Sequence, residues 1–175
     1  SQYNRRYLDD LIQYNKALSQ RNRLLKKFME IRRFEEESLA IWDEQLMNYG
    51  VPVFDARSQF IVEFLPLFQK YYQFISGNEE VVSMDYISQL NDASFSDNLL
   101  NSRDKDRRLT YTSTGIHKDD LGFNLGDKPL KKFGSQGQQK TFLLSLELAQ
   151  AEFLKDHKKI APILLLDDIY DKLDE

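Results

Sequence analysis

Two stretches decide how this chain reads: Phe133-Gly134-Ser135-Gln136-Gly137-Gln138-Gln139-Lys140 and, further on, Ile163-Leu164-Leu165-Leu166-Asp167-Asp168. In the first, Ser135 and Gln138 have capping-box spacing, so a helix should begin here with its first amides unsatisfied. The pattern predicts that helix from about Gln136 to Lys155. Gly137 lets another molecule approach the backbone, and a helix start with a hydroxyl and nearby lysines suits a phosphate group. Taken alone, the stretch reads more simply as an ordinary capped helix. The second stretch predicts a buried strand, Ile163 to Leu166, that ends in two carboxylates at the carboxyl edge of a sheet. There Asp167 suits holding Mg²⁺ through water, and Asp168 suits orienting or deprotonating an attacking water. A strand ending at a polar surface is the plainer alternative.

Working outward, Thr110–Thr114 and Leu121–Leu125 read as short strands. The polar turn Gly115-Ile116-His117-Lys118-Asp119-Asp120 separates them, and Gly126-Asp127-Lys128-Pro129 is a further turn. Strand, helix and buried strand in succession is α/β grammar. Residues before about 108 are mainly helical. Tyr7, Leu11, Tyr14, Leu18, Leu25 and Phe28 fall at alternating spacings of three and four, broken only at Arg21, and call for a partner helix. Leu39, Trp42, Leu46 and Tyr49 line a second helix, which Gly50 and Pro52 should terminate. A third segment, Ala56 to Ile75, contains Pro66 and should kink or break there. Val81–Ile87 reads as a strand, and Ser96 to Arg108 as a short helix plus loop.

Composition narrows the class. The chain has 175 residues, 41% hydrophobic and 30% charged, enough to bury a core. It has no cysteine, which excludes disulfides, cysteine-ligated zinc and thiol catalysis, and fits a cytosolic protein. No apolar run approaches the length of a membrane span. The net charge of -4 is unevenly laid out. Residues 1–33 carry 9 basic and 3 acidic side chains, 34–100 carry 2 and 12, and 101–175 carry 13 of each. Arg21, Arg23, Lys26 and Lys27 in the basic first helix are therefore candidate DNA-phosphate ligands. A solvated face paired with Glu35-Glu36-Glu37 is an equal alternative. His117 reads as a turn or interface histidine, and His157 as a solvated residue that complements a helix end.

In this order the motifs resemble a family. Ser135-Gln136-Gly137-Gln138 is similar to the signature motif of ABC-type ATPases, Ile163–Asp168 to their Walker B strand, and Asp171-Lys172-Leu173-Asp174 to their D-loop. The set resembles the RecF family of recombinational repair proteins, which have SMC-like ATPase heads. Gly115-Ile116-His117-Lys118-Asp119-Asp120-Leu121 is similar to that family's Gly-Pro-His-Arg-Asp-Asp-Leu stretch, with Ile116 and Lys118 as departures. Arg6-Tyr7-Leu8-Asp9, Tyr14-Asn15-Lys16-Ala17-Leu18, Gln20-Arg21-Asn22 and Ile41–Leu46 are similar to the family's helical insertion.

The resemblance implies an α+β, mixed fold. Residues 1–108 would form a mainly helical insertion lobe, and 109–175 the signature, Walker B and D-loop half of a P-loop NTPase α/β lobe. It implies ATP and Mg²⁺ as cofactors and nucleotide sandwiched between two heads of an ATP-dependent homodimer. Ser135, Gln136, Gly137 and Gln138 would serve the nucleotide of the partner. Asp167 would support Mg²⁺, Asp168 would be catalytic, and Asp171 and Asp174 would lie at the dimer interface. Expected partners are DNA at gaps or single-strand/duplex junctions and the RecR and RecO mediators. None of the seven glycines is followed by lysine, so the chain contains no Walker A motif. The expectation is an internal-to-C-terminal piece, inactive alone, of a weak DNA-dependent ATPase. Competing readings are another ABC- or SMC-like head, or a non-catalytic helical interaction module.

Overall fold

The computed structural model describes residues 5–77, 80–158 and 162–164. In chain order it forms α1 (Arg5–Ile31), α2 (Glu36–Ser76), β1 (Val82–Ile87), α3 (Phe95–Leu109), β2 (Asp120–Leu125), β3 (Lys128–Pro129), α4 (Leu130–Phe133) and α5 (Gln136–Lys158). Short 3₁₀ turns lie at Gln89–Asn91 and Ile116–Lys118. The fold is mixed α+β and mostly helical, as expected. Its strands form one sheet in the order β1-β2-β3, and β2 and β3 pair antiparallel with Asn124 opposite Pro129. Gly126, at φ 56°, supplies the left-handed residue this hairpin turn needs.

Contacts group the chain into two units that interleave in sequence: Ser1–Ser58 with Tyr86–Asp120, and Gln59–Asp85 with Leu121–Glu175. Helix α2 gives one half to each unit.

In the first unit the seam of α1 finds its partner in α2. Phe28 packs edge-on to Phe34 at 5.1 Å, Arg21 pairs with Asp43 at 2.6 Å, and Arg57 donates to the Tyr7 hydroxyl at 3.1 Å. Tyr14 lies where a side chain on Gly50 would meet it at 3.1 Å. Positions 7, 14 and 21 therefore run against 57, 50 and 43 of α2, an antiparallel hairpin with heptad spacing, and Phe28 meets Phe34 in the loop that joins the two helices. Tyr14, Leu46, Val53, Phe95, Leu99 and Ile116 form the buried core beside it.

Helix α2 runs through Gly50 and Pro52, contrary to the stop expected there, and continues past Pro66 without a break. Gly50 is there for close approach rather than for a left-handed turn: a Cβ would fall 2.6 Å from Phe95 Cε1. Each proline forfeits one helical hydrogen bond. Burial of Leu46 and Val53 around Pro52, and of Phe64 and Phe68 around Pro66, offsets that loss.

The second unit is an aromatic core. Phe68 meets Phe142 at 4.6 Å and Phe60 meets Phe153 at 5.2 Å, both edge to face, so the Phe-rich half of α2 packs along α5. His157 is not simply solvated: its ring stacks on Phe153 at 4.0 Å and its Nδ1–H donates to the Phe153 carbonyl.

Two further expectations change. The segment expected as a short helix plus loop, Ser96 to Arg108, is helical throughout within Phe95–Leu109, and α3 ends in a left-handed Thr110 at φ 59°. The strand expected at Thr110–Thr114 does not form. Its polar groups go to side chains instead: Thr112 N–H donates to Asn22, Ser113 N–H to Asp106, and the Thr114 hydroxyl to Gln89. Residues 162–164 are not strand either, with Ile163 89% and Leu164 40% exposed. A strand buried on both faces needs strand neighbours, and the sheet of the described residues does not include this segment.

Candidate nucleotide-contact turn and the basic helix

The candidate site is built by the chain from α4 into α5. Gly134 closes α4 by donating its N–H to the Leu130 carbonyl at 2.8 Å. Leu130, at 7% exposure, anchors the turn in the core of the second unit. A Cβ at Gly134 would lie 2.8 Å from that same carbonyl oxygen, so only glycine fits. The expected capping box then forms. Ser135 N–H donates to Gln138 Oε1 at 2.9 Å, and Gln138 N–H donates to Ser135 Oγ at 3.1 Å.

That pairing sets what the turn can offer. Ser135 Oγ spends a lone pair on Gln138, which leaves its hydroxyl proton available for an incoming oxygen. Ser135, Gln136 and Gly137 are all exposed. A Cβ on Gly137 would meet only Ser135 Oγ, at 3.9 Å, so nothing packed here requires a glycine. The open face above Gly137 and the first amides of a 23-residue helix suit a phosphate from another molecule.

Cations flank the turn. Lys131, Lys132 and Lys140 are exposed, and Lys128 and Lys132 approach the exposed Phe133 ring at 6.0 and 5.3 Å. A cleft of about 440 Å³ opens beside it, bounded by Glu80, Gly126, Asp127, Phe133, Gly134 and Gln138. On its wall, Gln138 Nε2 donates to Glu80 Oε1 at 2.9 Å, and the Tyr72 hydroxyl donates to Glu80 Oε2 at 3.3 Å. Burial, and then the Glu80 charge, push the Tyr72 phenol up to about 12. No sequence motif flags Glu80; its role follows only from its reach across the chain to Gln138.

The candidates Asp167, Asp168, Asp171 and Asp174 lie outside the described residues. Among the described residues no group of three or more His, Asp or Glu side chains could hold a metal ion.

The basic helix separates into two kinds of residue. Arg23, Lys26 and Lys27 are exposed. Arg21 is not a surface ligand: its side chain is fully buried. Its Nε donates to Asp43 at 2.6 Å, and its Nη1 donates to Asp106 at 2.7 Å and Thr112 Oγ1 at 2.9 Å. Arg103 completes the cluster on Asp43 at 3.1 Å, giving two cations and two carboxylates. Arg21 was the one interruption in the apolar seam, and that placement was the signal for burial.

The Gly115–Leu121 stretch is likewise held from within. His117 Nε2–H donates to the Thr112 carbonyl at 3.1 Å, which leaves Nδ1 to accept the Tyr14 hydroxyl at 2.8 Å. Burial lowers the imidazole pKa below its ordinary value. Gly115, at φ 119°, sits where a Cβ would collide with the Tyr14 hydroxyl at 2.6 Å. Arg57 donates to Asp119 at 2.9 Å and to the Ile116 carbonyl at 2.9 Å, and the Tyr86 hydroxyl donates to Asp119. His117 is thus a structural turn histidine.

Known proteins are similar to this chain over nearly all of its length. The chain is 50% identical over 175 residues, all of its length, to the DNA replication and repair protein RecF of Flavobacterium johnsoniae. It is also 50% identical over 174 residues to the RecF of Bacteroides thetaiotaomicron. The chain belongs to the RecF family. It spans about half the length of the curated relatives it matches, 49% and 46% of these two. A solved structure of the recombination mediator protein RecF with ATP, from the RecFOR pathway, superposes with a TM-score of 0.87 at 31% identity. That match covers 99% of this chain and 48% of the RecF chain. No family model matches the sequence. No described helix is long and apolar enough to cross a membrane.

Proposed function

We propose that this chain supplies the signature half of an ATP-dependent DNA-binding protein of recombinational repair and replication. Two heads would close on shared nucleotides, and the turn at Ser135–Gln138 would meet the phosphates held by the other head. The observation that carries this reading is the capping box itself. It leaves the Ser135 hydroxyl free to donate and a Gly137 that the chain's own packing does not need. Support comes from the RecF relatives and from the RecF structure that contains ATP.

Within this reading Ser135 and Gly137 contact the terminal phosphate, Gln138 holds their turn, and Gln136 lies on the same exposed edge. Asp167 would support Mg²⁺ and Asp168 would act on the attacking water. Asp171 and Asp174 would align the two heads. Residues 1–108 would contribute the helical insertion lobe and 109–175 part of the ATPase lobe. Arg23, Lys26 and Lys27 would contact DNA phosphates at gaps or single-strand/duplex junctions, in cooperation with the RecR and RecO mediators in the cytoplasm.

The test supplies the chain with a Walker A-bearing N-terminal segment and follows ATP-dependent pairing by light scattering. Pairing that needs both ATP and Ser135 supports the reading; pairing that ignores the nucleotide overturns it. The 175-residue chain alone should show negligible Mg²⁺-dependent ATP hydrolysis, and robust turnover by the pure chain would sink the shared-site scheme.

A further inference from the structure

We infer that Glu80 is the positioning residue of the signature turn, holding Gln138 in the one orientation that presents Ser135 and Gly137 to a phosphate. This rests on the reading of that turn proposed above.

The two ends of the Gln138 side-chain amide are chemically opposite. Ser135 N–H can only donate, so the oxygen end must face it, and Oε1 lies there at 2.9 Å. The Glu80 carboxylate can only accept, so the nitrogen end must face it, and Nε2 lies there at 2.9 Å. One side chain is therefore clamped at both ends by partners of opposite demand. The Gln138 backbone N–H is meanwhile spent on Ser135 Oγ at 3.1 Å, which turns the hydroxyl proton outward.

Glu80 is itself held. Its second oxygen accepts from the Tyr72 hydroxyl at 3.3 Å, and Tyr72 is 1% exposed in the aromatic core of the second unit. Tyr72, Glu80, Gln138 and Ser135 thus form one connected run of hydrogen bonds from the core to the exposed turn. Without it the turn would rest on the Ser135–Gln138 box alone, which is solvent-exposed at both ends. The cost is a negative charge close to where a phosphate would dock. Lys128, Lys131 and Lys132, all exposed nearby, offset that charge.

A carboxylate used for positioning behaves differently from one used only for packing. Glu80→Gln keeps an acceptor oxygen within reach of Gln138 Nε2, whereas Glu80→Ala keeps none. Amide hydrogen exchange on the 175-residue chain should show Ser135 N–H exchanging about tenfold faster in Glu80→Ala and near wild type in Glu80→Gln. ATP-dependent pairing of the chain supplied with a Walker A-bearing segment should weaken by about the same factor in Glu80→Ala and recover in Glu80→Gln. The midpoint of thermal unfolding should be nearly common to both variants, since Glu80 is exposed.

Unchanged Ser135 exchange in Glu80→Ala overturns the inference. So does an equal loss of pairing and of thermal midpoint in both variants, which would make Glu80 a general structural residue. Ser135→Ala separates the two claims. If it pairs like wild type, the signature reading fails whatever Glu80 does. If it loses pairing while Glu80→Ala keeps it, the positioning role alone fails.

Discussion

Arg21 on α1 and Asp43 on α2 face each other at 2.6 Å with side chains 0% and 7% exposed. They sit at one step of a ladder that runs from Tyr7–Arg57 through Tyr14–Gly50 to Phe28–Phe34. A charged pair thus occupies a position where the heptad pattern asks for an apolar one. It succeeds because Asp106 on α3 and Thr112 both accept from Arg21 Nη1. The cluster ties three helices into one register.

Removing one member should therefore be costly. Arg21→Met leaves Asp106 buried without its cation and should destabilise the chain by about 3–5 kcal/mol. Urea denaturation of the 175-residue chain measures this. A loss below about 1 kcal/mol would show that the cluster is solvated and the ladder incidental.

The exposed neighbours should behave in the opposite way. Replacing Arg23, Lys26 and Lys27 with Gln should leave the unfolding midpoint nearly unchanged. In the DNA-binding reading it should also flatten the dependence of affinity on salt, by about 0.7–0.9 in log–log slope per lost phosphate contact. Equal slopes for wild type and the triple variant would take this patch out of the DNA surface.

Two glycines should respond differently to the same added methyl. Gly50→Ala drives a Cβ to 2.6 Å from Phe95 Cε1 and should cost about 1–3 kcal/mol. Gly137→Ala meets open space within a helical first turn, so stability should hold or rise by up to about 1 kcal/mol. Pairing on ATP should nevertheless fall with Gly137→Ala. If it does not, the open face above Gly137 has no ligand.

His117 should make stability depend on pH. Burial lowers its folded pKa, and accepting the Tyr14 hydroxyl at Nδ1 requires the neutral ring. The unfolded chain then binds more protons below its own value of about 6.5. Stability from this group is complete above that pH and declines as pH falls toward the folded value. His117→Gln should remove part of the slope between pH 7.5 and 5 in urea titrations, and an unaltered slope would assign it to other groups.

The capping box at Ser135–Gln138 was legible because it is local: four consecutive residues carry both donors and both acceptors. The same holds for the α1 seam, whose spacing is visible without knowing its partner. The reach of α2 through Gly50, Pro52 and Pro66 was not legible, since local rules for these residues describe an isolated helix. Tertiary packing overrides them: Phe95 of α3 closes on Gly50, and Val53 and Phe68 of α2 itself are buried against the rest of their units. Thr110–Thr114 had strand-like residues, but Asn22 and Gln89, distant in sequence, and Asp106 on the preceding helix claimed its hydrogen bonds.

Sequence alone therefore determined the family resemblance and the capping box at Ser135–Gln138, because both depend on residue types at short fixed spacing. Only the tertiary structure decided which charges are usable. It buried Arg21 and left Arg23 exposed two residues later, and it brought Glu80 across 58 positions to Gln138. Burial and long-range partnership are properties of packed surfaces, and no local pattern encodes them.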